Sequence, residues 1–144
     1  MRRYYCLLVA TFFLLILPVQ VVAESAVPDL KGTWIVKDYG VRHHLSQDPP
    51  AKTHAETRAR FLEVDFTITI DTQEGFRFSG TKSSKKWKEA ISGVIGFDNK
   101  TVYMVDDNGF SFCRLVSPDT MEHIYLHATP HHSAVARGTM KRKR

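Results

Sequence analysis

The chain has very few cysteines, because only Cys6 and Cys113 occur among its 144 residues. Cys6 lies in an apolar N-terminal segment that we expect to be removed, so a mature chain keeps Cys113 alone. An internal disulfide is then excluded, although exported domains of this size often have one. Stability must therefore come from an apolar core. For Cys113 we favour a buried, inert thiol, with a reactive or intermolecular thiol as the alternative.

The N-terminal segment has the order of parts that is typical of a secretory signal. A short basic start is followed by the almost wholly apolar residues 4–17, by Pro18 and by small residues before Glu24. The apolar stretch is short for a membrane span, which needs about 20 residues. We expect residues 1–23 to be a cleaved signal peptide and residues 24–144 to form one domain. The predicted location is periplasmic or secreted.

The chain also lacks a strong charge of one sign. It has 20 basic and 15 acidic side chains, and two of the basic ones leave with the expected signal. A nucleic-acid-binding protein would carry its positive charge on a face of the fold, so we expect no nucleic-acid partner. Most of the remaining positive excess is at the C-terminus, in Lys141, Arg142, Lys143 and Arg144. We expect a solvated end there, with weak contact to an anionic membrane surface as the alternative.

Motifs that carry catalytic chemistry are missing as well. The sequence contains no nucleophile elbow, no phosphate-binding glycine loop and no Cys–His arrangement. Serine and threonine are plentiful but fall in predicted turns and on outer faces. We therefore nominate no catalytic residue and expect no cofactor, and an enzyme is the less favoured class.

What the chain does have is alternation of apolar and polar residues. From Leu62 to Ile70 every even position is apolar and every odd position is polar, the period of a strand with one buried face. Asn108-Gly109 is typical of a primed hairpin turn, which needs positive φ angles. Seven further segments read as strands, at 32–41, 76–81, 86–97, 101–105, 110–116, 121–128 and 133–142.

Short connections between these segments predict that strands adjacent in sequence pair in space. A meander of eight strands has two exposed edges unless it closes, and closure removes both. Eight strands leave an interior just wide enough for packed side chains or one small ligand. We therefore predict an all-β fold, an eight-stranded antiparallel up-and-down β-barrel, with a β-sandwich as the alternative. The exception to the short connections is the long polar loop 42–60.

The first strand opens with Gly32-Thr33-Trp34, and with the eight-strand meander this resembles the calycin-type superfamily of lipocalins, avidins and fatty-acid-binding proteins. The resemblance implies a barrel in which Trp34 plugs one end. It also implies a basic residue of the last strand, Arg137 or Lys141, over the indole in a cation–π contact. The mature length is more similar to the avidin branch. Biotin binding is not implied, because Val36 stands where avidins have a biotin-contacting asparagine.

Glu89 falls on the predicted inner face of its strand, between Trp87 and Ile91. A buried carboxylate needs a partner, and we predict Arg114, on the expected inner face with the neighbouring phenylalanines. Both would orient an apolar ligand in a cavity; the alternatives are a structural ion pair, or Glu89 turned outward by a bulge. The candidate ligand-binding residues are Trp34, Trp87, Glu89, Arg114 and Tyr125. Further candidate wall residues are Phe66, Phe78, Ile91 and Phe112.

Seven histidines raise the question of a metal. His43-His44 and His131-His132 lie in connections that meet at one barrel end if the meander is simple. His123 and His127 share a strand face but are roughly 13 Å apart along it, too far to hold one ion. Solvated loop histidines are the interpretation we favour, and metal binding is left open.

Together these observations predict an exported, non-enzymatic envelope protein whose packed or small-cavity barrel binds a small apolar ligand or a partner protein. The alternative is a structural or protein-interaction barrel without a ligand. A metal-binding or enzymatic barrel is less favoured. The sequence leaves the oligomeric state open.

Overall fold

The structure is a computed structural model that describes residues 26–44 and 58–144, the side chain of His44 excepted. The predicted signal peptide and most of the predicted loop 42–60 lie outside the described residues. In the described part of the chain, no helix is long and apolar enough to cross a membrane. The eight strands are β1 (Gly32–His44), β2 (Arg60–Glu74), β3 (Arg77–Ser83), β4 (Lys88–Ile95), β5 (Thr101–Val105), β6 (Gly109–Ser117), β7 (Thr120–Ala128) and β8 (His132–Arg142).

The strands form a closed barrel in which each pairs antiparallel with the next and β8 returns to β1. The predicted eight-stranded up-and-down barrel is therefore confirmed, and the sandwich alternative is wrong. Closure leaves no unpaired edge strand. Strand β1 runs further than predicted, to His44, because its end still pairs with the start of β8 at His132.

Alternate connections meet at the same end of such a meander, which defines two ends of the barrel. The connections β1–β2, β3–β4, β5–β6 and β7–β8 lie at what we call the open end. The connections β2–β3, β4–β5 and β6–β7 lie at the closed end, together with residues 26–31 and the C-terminus.

A tryptophan fills the closed end. Trp34 is fully buried among Leu30, Ile68, Met121 and Met140, and its Nε1–H donates to the Leu30 carbonyl oxygen at 2.9 Å. The plug that the resemblance implied is present. The barrel shape implied by the resemblance is also confirmed, whereas membership in the lipocalin–avidin group stays a prediction.

The cation over this tryptophan is Arg142, with its guanidinium carbon 4.4 Å from the indole centroid. The expectation of Arg137 or Lys141 is wrong for a reason of parity. Met140 points into the barrel, so Arg142 points the same way and odd-numbered positions of β8 point outward. Arg142 also donates to the carbonyl oxygen of Asp29 at 2.7 Å, which fixes the entering chain over the plug.

Strand β6 faces the opposite way from the prediction. Ser111 and Cys113 are buried, whereas Phe110, Phe112 and Arg114 lie on the outer surface. The reason is register: Cys113 pairs with the inward-facing Val102 of β5, and directly paired residues share a face of the sheet. The predicted burial of Cys113 is confirmed, and burial raises the pKa of its thiol.

Three further local predictions fail at turns. Phe76 and Phe97, the end residues of the predicted strands 76–81 and 86–97, lie instead in closed-end connections and are exposed. Asn108-Gly109 does connect a hairpin, but in the described residues positive φ angles occur only at Gly32, Gly75 and Asn99. The β5–β6 connection is therefore not the primed turn that the dipeptide suggested.

Candidate functional site

A cavity of about 290 Å³ opens into the barrel at the open end. Its walls are largely apolar, with Leu62, Val64 and Phe66 from β2 and Trp87 from the β3–β4 connection. The space exists because β1 and β8 turn small residues inward there, where the closed end has Trp34 and Met140. These small residues are Gly40, Ala134 and Ala136.

Lys82 is one of the charged groups of the cavity wall. Its Nζ lies 2.6 Å from Asp106 Oδ2, and the two side chains are 7% and 3% exposed. The ammonium is also 3.9 Å from the ring centroid of Tyr125, and 5.2 Å and 5.5 Å from those of Phe66 and Trp87. A buried charge needs such compensation. Burial alone would raise the pKa of Asp106, but the hydrogen bond and charge of Lys82, together with backbone hydrogen bonds from Asn108 and Gly109, lower it.

Glu89 lines the same cavity and is directly paired with Lys82 across β3 and β4. Burial raises the pKa of Glu89, the negative charge of Asp106 raises it further, and Lys82 opposes both. The net result is a pKa above the usual value, with burial as the largest cause. Glu89 thus holds its proton to a higher pH than a solvated glutamate.

Tyr125 and His127 continue the cluster of polar side chains around Lys82 toward the barrel mouth. The Tyr125 hydroxyl donates to Asp106 Oδ1 at 3.3 Å and lies 3.3 Å from His127 Nδ1. Since the hydroxyl has one proton, its oxygen accepts from His127 Nδ1–H, and Nε2 is left as an acceptor. Burial lowers the pKa of His127, the charge of Asp106 opposes this, and the charges of Lys82 and Arg42 lower it further, so that the pKa lies below the usual 6.5 and the ring is neutral near neutral pH.

Two buried polar atoms at this mouth have no hydrogen-bond partner in the described part of the chain. They are Arg42 Nε, a donor, and His127 Nε2. The pairing places them in one row, since Ala134 of β8 is opposite Arg42 on one side and opposite His127 on the other. Strands β1 and β7 are about 10 Å apart, because β8 with Ala134 lies between them. A molecule in the cavity can therefore reach both atoms.

A second polar network lies deeper in the barrel. His123 Nδ1 donates to Asp38 Oδ2 at 2.8 Å, and His123 Nε2 is 3.0 Å from Ser111 Oγ. All three side chains are buried. Asp38 on β1 reaches His123 on β7 across Gly138 of β8, where a Cβ atom would overlap Lys37 O and Asp38 Oδ1. Gly138 is thus required by close approach.

The order of groups in this network is that of an acyl-transfer triad, in which histidine takes the serine proton. Ser111 is only 6% exposed and is not part of the cavity wall, whereas Asp38 forms the cavity floor. A carbonyl carbon in the cavity would therefore meet the carboxylate before the hydroxyl. In this geometry the network satisfies buried polar groups and does not present a nucleophile.

The structure brings three of the five predicted ligand-binding residues together. Trp87, Glu89 and Tyr125 line the cavity, and their binding role stays a prediction. Trp34 lies at the closed end beneath Arg142, away from the cavity. Arg114 lies on the outer surface, so its predicted inward orientation and its pairing with Glu89 are wrong.

The candidate wall residues divide in the same way. Phe66 lines the cavity, Phe78 and Ile91 belong to the packed core, and Phe112 points outward on the reversed β6. Lys82 was missed because the predicted third strand ended at residue 81. The available signal was that Lys82 lies two positions after Gly80 and four after Phe78, on the same face of a strand if the strand continues. Strand β3 does continue through Lys82 to Ser83.

The histidine pairs lie as predicted at one barrel end, with His44 opposite His132 and His43 opposite Ser133. Among residues 26–44 and 58–144, no three side chains of metal-ligand type form a group that could hold an ion. His123 is engaged with Asp38, and His127 lies 4.4 Å ring to ring from His132. Of the remaining histidines, His54 lies outside the described residues.

No protein-family model matches the chain, and no curated protein matches it. Two solved structures are similar to it. A redesigned β-barrel has 11% sequence identity and a TM-score of 0.49, over 80% of this chain and 92% of that one. The S-type phycobiliprotein lyase CPES from Guillardia theta has 8% identity and a TM-score of 0.38, over 80% of this chain and 89% of that one. Function therefore has to be argued from the cavity itself.

Proposed function

We propose that this protein is an exported, non-enzymatic barrel that binds one small, largely apolar molecule in the open-end cavity. The observation that carries the proposal is the pair of unpartnered buried atoms, Arg42 Nε and His127 Nε2, at the mouth of an apolar-walled space. Leaving a buried polar atom unpaired costs about 1–3 kcal/mol. A bound molecule that pairs both atoms removes that cost.

The size and lining of the cavity define the ligand class. At about 290 Å³ the space is at the lower limit of ligand sites, which run from roughly 300 to 1,000 Å³. Leu62, Val64 and Trp87 offer apolar contact on one side. On the other side, Arg42 Nε donates and His127 Nε2 accepts, so a matched ligand presents one acceptor and one donor. Hydroxyl groups can serve as either.

Export and an envelope location are part of the proposal and rest on the N-terminal sequence pattern. The basic C-terminus supports only a weak contact with anionic lipid, because two of its four charges are already engaged. Arg142 packs over Trp34 and pairs with Asp119, and Arg144 also pairs with Asp119 at 3.0 Å. A protein partner instead of a small molecule is the second candidate, and the exposed apolar side chains on the outside of the barrel favour it.

The test is a titration with the fluorescent probe 1-anilinonaphthalene-8-sulfonate, which joins an apolar aromatic part to a sulfonate that accepts hydrogen bonds. In Ala134→Phe the new ring projects between Arg42 and His127 and fills the cavity, so we expect loss of binding. Ala90→Phe is the matched control, because Ala90 is exposed on the outside of β4. Equal probe affinity in Ala134→Phe and the wild type would contradict the proposal.

A second measurement addresses the natural ligand. Native mass spectrometry of the protein purified from its own cells should show a bound small molecule that is absent from Ala134→Phe. We expect Arg42→Met to weaken probe binding about tenfold, the effect of losing one hydrogen bond to a charged group. Unchanged binding in Arg42→Met would remove Arg42 from the site while leaving the apolar cavity in place.

A further inference from the structure

The outer surface of the barrel carries a continuous apolar face. One row crosses four neighbouring strands, because Val94 pairs with Tyr103, Tyr103 with Phe112 and Phe112 with Ile124. All four side chains are exposed. Tyr103 and Phe112 pack edge to face, with ring centroids 5.9 Å apart.

A second row runs beside the first. Val105 pairs with Phe110, Phe110 with Leu126 and Leu126 with Val135, and these four side chains are also exposed. We call the eight residues of the two rows the outer apolar face. The outer side of β1 and β2 is mixed, because the charged Lys37, Glu63 and Asp65 lie there beside the exposed Ile35, Tyr39 and Phe61. The two uninterrupted apolar rows therefore lie on β4 to β8.

The size of this face is unusual for a monomer. Each side chain in it is between 41% and 59% exposed. At roughly 80 Å² for a half-exposed large apolar side chain, the eight residues present roughly 600–700 Å². The largest patch on a typical monomer is about 300–600 Å². A standard interface buries about 800 Å² on each partner, so this face with its rim has the area of one half-interface.

The face has a ridge and a groove side by side. Phe110 and Phe112 project from β6 as the ridge. The groove, of about 470 Å³, lies over β8 and is lined on either side by Ile124 and by Tyr39, with Val135 along it. Strand β7 lies between the ridge and the groove, one strand spacing of about 4.8 Å from each.

The rim carries both signs of charge. Arg114 and Glu122 are directly paired on the row that borders the face, and Arg137 extends the row of Phe112 and Ile124. A two-fold symmetric interface must be complementary to itself. A rim with both a cation and an anion meets this condition, whereas a rim of one sign would repel its own copy.

We propose that the outer apolar face binds a second copy of the same chain, in a dimer whose two-fold axis runs along β7. Rotation about that axis exchanges the two sides of β7, so the β6 ridge of each copy lies over the β8 groove of the other. The two sheets then pack face to face at about 10 Å, as in β-sandwiches. Such a dimer covers the apolar surface that a monomer leaves in water.

The test is the oligomeric state of the protein purified from its own cells, measured by sedimentation velocity. We expect a dimer for the wild type at micromolar concentration. In Phe110→Glu a charge enters the ridge twice per dimer, and we expect the dissociation constant to rise about 100-fold or more. Val116→Glu is the matched control, because Val116 is 61% exposed on the same strand beyond the polar row, against 59% for Phe110.

A cysteine at the axis tests the geometry. The two copies of Leu126 face each other if β7 lies on the axis, but Cα atoms about 10 Å apart are too far for a disulfide. A short bis-maleimide cross-linker should therefore join two copies of Leu126→Cys. It should not join two copies of Val116→Cys. A monomeric wild type overturns the proposal, and so does a dimer that survives Phe110→Glu. Monomers that sediment with phosphatidylcholine–phosphatidylglycerol vesicles through this face also overturn it, since lipid would then be the occupant.

Discussion

The two ends of this barrel are built on the same eight strands but filled in opposite ways. At the closed end, the inward-facing residues next to Trp34 form a row across three paired strands and are fully buried and apolar. This row is Val36, Met140 and Met121. Three rows further along the same strands, the corresponding inward positions are Arg42, Ala134 and His127, and a cavity opens between them. The difference shows that side-chain size and polarity along each strand, and not the backbone fold, decide where the interior can hold a ligand.

The transition between the ends occurs within two rows. First Asp38, Gly138 and His123 replace the packed apolar side chains, and then Gly40, Ala136 and Tyr125 open the space. Buried polar groups and a void both cost stability compared with a packed core. Their concentration at one end is therefore what we expect where a binding site is placed on an otherwise packed barrel.

The largest expected effect is at the closed end. Trp34→Ala should lower the free energy of unfolding by about 4 kcal/mol, since a fully buried tryptophan is removed and Arg142 loses its ring. Trp87→Ala, the same change in the half-buried cavity wall, should cost about 1–2 kcal/mol. Urea unfolding of both variants measures the contrast, and equal losses would mean that the ends are packed alike.

The next effect is at the ion pair of the open end. Lys82→Met should cost about 3 kcal/mol, because Asp106 is left as a buried charge without its partner. The double variant Lys82→Met/Asp106→Asn should recover most of that loss, since the amide is neutral and still accepts hydrogen bonds. If the double variant is no more stable than Lys82→Met in urea, loss of packing rather than unpaired charge is the cause.

The closed end was largely predictable from the sequence, and the open end was not. The Gly32-Thr33-Trp34 motif indicates the plug, and the strict alternation of apolar and polar residues indicates β2. The barrel and its plug therefore follow from local patterns. The strand β6 has bulky aromatic residues on the even positions and small ones on the odd positions. Hydrophobicity alone points the phenylalanines inward, and only pairing with β5 reverses them.

The polar groups of the interior escaped prediction for a related reason. Lys82 falls in a predicted connection, and Ser111 alternates with the phenylalanines that hydrophobicity points inward. Asp38 has the parity of Trp34, but one carboxylate on a strand does not indicate its partner. Asp38 and His123 lie 85 positions apart, and they meet only because β8 lies between β1 and β7 with a glycine at the crossing. A single sequence contains no local signal for such a contact.

A smaller effect tests the deeper network. Ser111→Ala should lower the free energy of unfolding by about 1 kcal/mol, because His123 Nε2 loses its buried partner. Probe binding in the cavity should not change, since Ser111 is not in the cavity wall. Ser92→Ala, on the exposed face of β4, is the control and should have no effect. Loss of probe affinity in Ser111→Ala would place the network in the binding site.

The smallest effect is a pH dependence at the cavity wall. Burial and Asp106 raise the pKa of Glu89 above the usual 4.5, so the folded protein holds this proton after the unfolded chain has lost it. Its contribution to stability must then fall as pH rises from 4.5 through the folded pKa.

Glu89→Gln keeps the neutral shape and removes the titration. Its stability relative to the wild type should be flat below pH 4.5 and rise above it, by less than about 1 kcal/mol because solvent screens a partly exposed group. Glu122→Gln, at an exposed outer position of β7, is the control. If the difference in urea midpoint between Glu89→Gln and the wild type does not change with pH, Glu89 is solvated. Water would then reach the wall of the open-end cavity as well as its mouth, in contrast to the closed end.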